Sequence, residues 1–184
     1  MIKRFIYCSL FLLLAFDYSF AQQSIPQDTI ITLERFACYG KCPAYKLTIS
    51  ADGTIVFEPR EYINDETGEE FFSGKYAKSK LSANQMNELL SEFEKINYFS
   101  LQKTYGQSWK LKKSKTCPEI WTDSSSAETS LQMNGKRKTI WHYYGCQGTK
   151  ILEQLTNLEK RIDEIVNSNQ WIELNKYPKS TSIR

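Results

Sequence analysis

Four cysteines, Cys38, Cys42, Cys117 and Cys146, and the only histidine, His142, are the side chains best suited to redox or metal chemistry. Two of the cysteines sit in the cluster Cys38-Tyr39-Gly40-Lys41-Cys42-Pro43. Closely spaced thiols can exchange with disulfides or, with a histidine, hold a soft metal ion such as copper. A second set, Ser125, His142 and Asp123, has the residue types of a nucleophile, its base and an orienting acid, as acyl transfer requires.

The cluster Cys-x3-Cys-Pro resembles the copper- or redox-active motif of Sco-type copper chaperones, which implies a thioredoxin fold and would give His142 the part of the distant ligand. Sites of that kind need a helix N-terminus just after the first cysteine, because it lowers the thiol pKa. Here Pro43 leads into Tyr45-Lys46-Leu47-Thr48-Ile49, whose period-2 alternation is that of a strand. The four cysteines match no familiar zinc spacing either, so neither a metal nor a cofactor is expected. The hydrolase set lacks a nucleophile-elbow motif around Ser125. Pairing across the Asn134-Gly135 turn puts Ala127 opposite His142 and Ser125 diagonal to it, with Asp123 four residues along from Ala127. No pair of acids for glycoside chemistry stands out. The chain thus reads as a binding module more than an enzyme. Thiol-redox or copper chemistry at Cys38/Cys42 with His142, and hydrolysis by Ser125/His142/Asp123, are the two alternatives.

The start of the chain bears on the thiols. Lys3 and Arg4 precede an apolar run from Phe5 to Phe16, and Ser19-Phe20-Ala21 offers a small-x-small cleavage site. Residues 1–21 are expected to be a signal peptide, because the run falls short of the ~20 apolar residues of a membrane span. Cys8 lies too early in it to become a lipid-modified first residue. Export to a periplasmic or extracellular space favours disulfides. Four cysteines allow three connectivities. A Cys38–Cys42 bridge would contribute ~2 kcal/mol and a Cys117–Cys146 bridge ~3.5 kcal/mol on the chain-entropy model. Local pairing, 38 with 42 and 117 with 146, is favoured. The hairpin register sets Cys146 opposite Asp123, so the chain from Cys117 must fold back to reach it. Without the leader, 22 basic and 20 acidic residues remain, a balance that makes no case for nucleic acid.

The elements that would position these residues can be read in order. Residues 22–28 form a flexible lead, 29–175 a single domain and 176–184 a polar tail. Thr29–Phe36 is a β-branched strand; Tyr45–Ser50 and Thr54–Phe57 flank the hairpin signal Asp52-Gly53. Glu58–Glu70 reads as a loop and Phe71–Ala77 as a further strand. Ser82 and Gln85 form a capping box, Leu81 and Met86 a hydrophobic staple, and Met86, Leu89, Leu90 and Phe93 a helical stripe. Lys103–Lys115 is a basic loop, with an anionic-ligand patch as its second reading. Trp121–Met133 and Lys136–Tyr144 flank Asn134-Gly135, and Lys150–Val166 carries Leu152, Leu155, Leu158, Ile162 and Ile165 on one stripe. The fold class is therefore α+β: an antiparallel sheet from two hairpin regions, with two amphipathic helices packed on one face.

Cys38-Tyr39-Gly40-Lys41-Cys42-Pro43-Ala44-Tyr45 followed by Asp52-Gly53 is similar to the opening signature of an uncharacterised bacterial domain family of unknown function, common in Bacteroidota. Thr122-Asp123, Asn134-Gly135-Lys136, Gly145-Cys146 and Leu158-Glu159-x-x-Ile162-Asp163 resemble its later landmarks, over about Thr29 to Trp171. The resemblance implies an exported domain with no catalytic residue to transfer. It also implies that the first two cysteines are shared more widely than the later two, in keeping with local pairing. High aromatic content, 14% of the chain, leaves rings for a contact surface. Tyr39, Tyr45, Asp123, Trp141, His142 and Tyr143 are the candidate binding residues. The expected partner is an unidentified envelope or extracellular ligand, met by a monomer with no retained membrane span.

Overall fold

Where the sequence alternates, burial alternates. Ile31 and Leu33 in strand β1 (Ile30–Arg35), Tyr45, Leu47 and Ile49 in β2 (Tyr45–Ser50), and Ile55 and Phe57 in β3 (Thr54–Pro59) are buried, and the strand residues between them are not. The structure is a computed structural model that describes residues 24–38, 42–63, 70–106 and 113–176. The leader, Tyr39, residues 107–112 of the basic loop and residues 177–184 of the tail lie outside the described residues.

After β3 come β4 (Glu61–Ile63), β5 (Glu70–Ser73) and β6 (Ala77–Lys80), then helix α1 (Ala83–Lys95). The second half contains β7 (Thr104–Tyr105), β8 (Glu119–Ile120), β9 (Ser126–Met133), β10 (Lys136–Tyr143), β11 (Cys146–Gln147), helix α2 (Lys150–Val166) and β12 (Leu174–Lys176). Seven strands form one sheet in the order β6-β3-β2-β1-β9-β10-β7. Every neighbouring pair is antiparallel except β10 with β7. Smaller sheets pair β11 with β8, and β12 with β5 and β4.

α1 starts as its sequence dictates. The Ser82 hydroxyl accepts from the Gln85 amide and the Gln85 side chain accepts from the Ser82 amide, with Leu81 and Met86 buried beside them. Met86, Leu89 and Phe93 enter the same core as Leu33 and Leu47. α2 contributes Leu152, Leu155, Leu158, Ile162 and Ile165. The helices meet where Gln85 Nε2 donates to the Ile165 carbonyl (3.4 Å) and Arg161 pairs with Glu88.

Four expectations change. The basic stretch Lys103–Lys115 is not all loop, since Thr104–Tyr105 forms β7 and adds one parallel pairing to an otherwise antiparallel sheet. The stretch after β3 is not one loop, since β4 forms and pairs with β5. The strand foreseen over Phe71–Ala77 is two strands broken at Gly74. That residue has a positive φ of 119°, and a Cβ there would lie 2.0 Å from the Trp171 carbonyl oxygen. The hairpin register holds from Met133 opposite Lys136 to Ser126 opposite Tyr143, but Cys146 then pairs with Ile120 and not with Asp123. Three extra residues are taken up around Asp123, which adopts a left-handed φ of 63°. At Gly145 a Cβ would lie 2.1 Å from the Trp121 carbonyl, so only glycine lets the strands close behind this bulge.

Candidate functional site

The buried face of the seven-stranded sheet holds more than apolar side chains. Arg35 on β1, Tyr45 on β2, Thr129 on β9 and His142 on β10 share it by strand parity. α2 answers with Glu159 and Asp163, one turn apart. His142 Nδ1 lies 3.2 Å from each Glu159 carboxylate oxygen. The Tyr144 hydroxyl donates to Glu159 (2.6 Å) and accepts from Arg35 (2.5 Å). Arg35 also donates through Nε to Asp163 (2.7 Å), and that carboxylate accepts from the Tyr45 and Ser168 hydroxyls at 2.7 Å each. Glu159 and His142 are 0% and 1% exposed.

Taking such charges out of water costs several kcal/mol per ion unless donors replace the lost hydration. Here they do, because each carboxylate has three or more donors. Burial opposes the Arg35 cation, yet Tyr144, Asp163 and Tyr45 outweigh it and hold its pKa above the ordinary value. Burial, reinforced by Glu159, pushes the Tyr144 phenol above its usual range, and burial with Asp163 does the same to Tyr45. A phenol held so firmly protonated is a poor base and a poor nucleophile. The arrangement ties α2 to four strands. Tyr144 also walls a cleft of about 530 Å³ beside Cys146, Gln147, Leu152 and Glu153, but its hydroxyl is committed inward.

The cysteines are bonded 38 to 42 and 117 to 146, with Cα separations of 5.5 and 5.2 Å. Both pairings match the favoured connectivity. The bulge at Asp123 brings Cys117 to Cys146 without a fold-back from the long hairpin. With the thiols oxidised and His142 bonded to Glu159, the structure does not gather Cys38, Cys42 and His142 as metal ligands. Among the described residues no group of three or more His, Cys, Asp or Glu is placed to hold a metal ion. No hydrogen bond joins Ser125, His142 and Asp123. Asp123 is exposed and accepts the Thr122 hydroxyl at 2.9 Å, while the histidine faces Glu159.

The other candidate residues divide between the two sheet faces. Tyr45 is 2% exposed and Tyr143 3%, so neither offers a ring to a ligand. The Tyr143 hydroxyl instead donates to the Trp121 carbonyl (2.9 Å) and holds the bulge down. Trp141 lies on the opposite face from His142 and is half-buried, its ring 4.7 Å from that of Phe36. Its row across the sheet reads Glu58, Lys46, Glu34, Glu128, Trp141, and the next reads Val56, Thr48, Thr32, Ser130, Thr139. These residues are half-buried except Ser130, whose hydroxyl bonds that of Thr32 at 2.7 Å. Arg60 reaches Glu34 (2.9 Å). Trp121, 63% exposed, stands next to this face through Tyr143.

Sequence reasoning gave no site role to Arg35 and Phe36, nor to Glu159 and Asp163, which it named only as landmarks of a resemblance. Glu159 was legible in principle: it continues the spacing of Leu155 and precedes Asp163 by four, inside the apolar stripe. The chain belongs to the family described as a domain of unknown function (DUF6438), whose model matches residues 29–166. No curated protein matches it.

Proposed function

We propose that this chain is an exported, disulfide-stabilised binding module of one domain, spanning about residues 29–175, whose contact surface is the sheet face around Trp141. In this reading both helices cover the Arg35–His142 face and leave the other for an envelope or extracellular ligand. One observation carries it. The ionisable groups of the helix-bonded face are saturated by one another, whereas Phe36 and Trp141 stand paired on the half-exposed face. Paired aromatics beside a hydroxyl-lined row offer contact area at little entropic cost. Two disulfides suit an oxidising compartment, as the leader does. Among the described residues no helix is long and apolar enough to cross a membrane.

The test begins with the full chain expressed in a bacterial host and fractionated. A mature form starting at Gln22 and carrying two bridges is expected outside the cytoplasm, with no copper uptake when the metal is added during non-reducing mass mapping. The mature protein is then mixed with envelope fragments. Capture that weakens at least fivefold in Trp141→Ala and Phe36→Ala supports the reading. A cytoplasmic reduced form, or capture indifferent to both substitutions, overturns it.

A further inference from the structure

Charges on the row through Trp141 alternate across the sheet until they reach β9. Glu58 faces Lys46 and Lys46 faces Glu34, but Glu34 then faces Glu128, a second carboxylate. Like charges directly opposite each other in a sheet destabilise it. Arg60 answers Glu34, at 2.9 Å. Glu128 makes no hydrogen bond or ion pair among the described residues, although it is half-buried. A carboxylate half-buried and set opposite another carboxylate is left without a compensating donor among the described residues. Its neighbour on the other side is Trp141, which Phe36 braces.

We infer that Glu128 and Trp141 together seat a guanidinium: an arginine side chain carried by an extended segment of a partner polypeptide. This rests on the reading above that the Trp141 face is a contact surface, and it names the ligand's chemistry. A carboxylate beside an indole face offers a guanidinium both a fork of hydrogen bonds and a π surface, a combination that suits arginine better than lysine. A divalent cation would want six or more oxygens, and Trp141 has a single carboxylate, that of Glu128, next to it in this row. Charge complementarity thus selects the cation, and the neighbouring row of Thr and Ser suits an extended segment lying across it. The partner's arginine completes the alternation that Glu128 interrupts.

The probe is a five-residue peptide, acetylated and amidated, with one central arginine among threonines and valines. Its twin carries citrulline, the neutral isostere, at that position. Binding to the mature protein is followed by the NMR signal of the Trp141 indole N–H, assigned by its loss in Trp141→Phe. The arginine peptide is expected to bind roughly five- to tenfold more tightly than the citrulline peptide. Glu128→Gln should erase that preference while its melting temperature stays level or rises, because the repulsion with Glu34 is relieved. Equal binding of the two peptides overturns the inference, as does a preference that survives Glu128→Gln. A clear drop in melting temperature for Glu128→Gln also overturns it, since the carboxylate would then have an internal role. Envelope capture that needs Trp141 while the arginine peptide fails to bind removes this inference and leaves the contact-surface reading standing. Capture that ignores Trp141 removes both.

Discussion

Glu159 takes a carboxylate into the core, and the three side chains around it decide whether that is tolerable. Truncating it leaves His142, Tyr144 and Thr129 without their common acceptor. Glu159→Ala is expected to cost about 3–5 kcal/mol in urea unfolding, because three buried side chains lose their acceptor at roughly 1–3 kcal/mol each. Glu159→Leu combined with His142→Phe and Tyr144→Phe should recover most of that loss, because a polar cluster replaced whole by apolar groups leaves nothing unpaired. Asp28 works at the surface by different means. Its carboxylate accepts from the Asn134 and Gly135 amides of the β9–β10 turn, at 3.0 and 2.6 Å, and these bonds hold its pKa below the ordinary 3.8. The folded chain therefore binds fewer protons there than the unfolded one. The stabilisation is complete above about pH 3.8 and fades as pH falls through the lowered folded value. Thermal melts of Asp28→Asn should lie below wild type at pH 7 and converge with it on acidification. Single residues of this kind are the hardest to read from sequence. Glu159 shares its type with the exposed Glu153 of the same helix; its place in the apolar stripe marks its burial, but its partner follows only from what β10 places opposite it.

The helices were the most legible elements, because capping and periodicity are local. Ser82→Ala should cost about 1 kcal/mol by removing the hydroxyl that accepts the Gln85 amide, measured by chemical denaturation. The β9–β10 turn was legible for the same reason, since Asn134-Gly135 sets its own register. The Asp123 bulge was not. Nothing local distinguishes three absorbed residues from a continued ladder, and only the pairing of Cys146 with Ile120 shows that the strand has been re-aimed. Loop length ranks the disulfides. Replacing Cys117 and Cys146 by alanine releases a loop of 29-residue separation, whereas Cys38 and Cys42 close one of 4. The longer bridge should cost ~3.5 kcal/mol and the shorter ~2 kcal/mol, an order that denaturation of the two double variants would check.

For the molecule as a whole, alkaline pH should expose how the core is held. Burial first, and nearby carboxylates second, raise the phenols of Tyr45, Tyr98 and Tyr144 well above the ordinary 10.0. The folded chain keeps those protons after an unfolded chain has released them. Their contribution is complete below pH 10 and is lost progressively above it, toward the raised folded values. In an ultraviolet titration these three tyrosines should ionise together with unfolding, not one by one ahead of it. The network on α2 has one more consequence, in time and not in energy. Arg35 and Tyr45 find Asp163 only 128 and 118 residues further along the chain. A polypeptide threading through a membrane pore from its N-terminus would deliver α2 almost last. Until it arrives, the half-buried Arg35 cation has only the Tyr144 hydroxyl and no carboxylate, and the Tyr45 phenol has no acceptor, so this part of the core closes last.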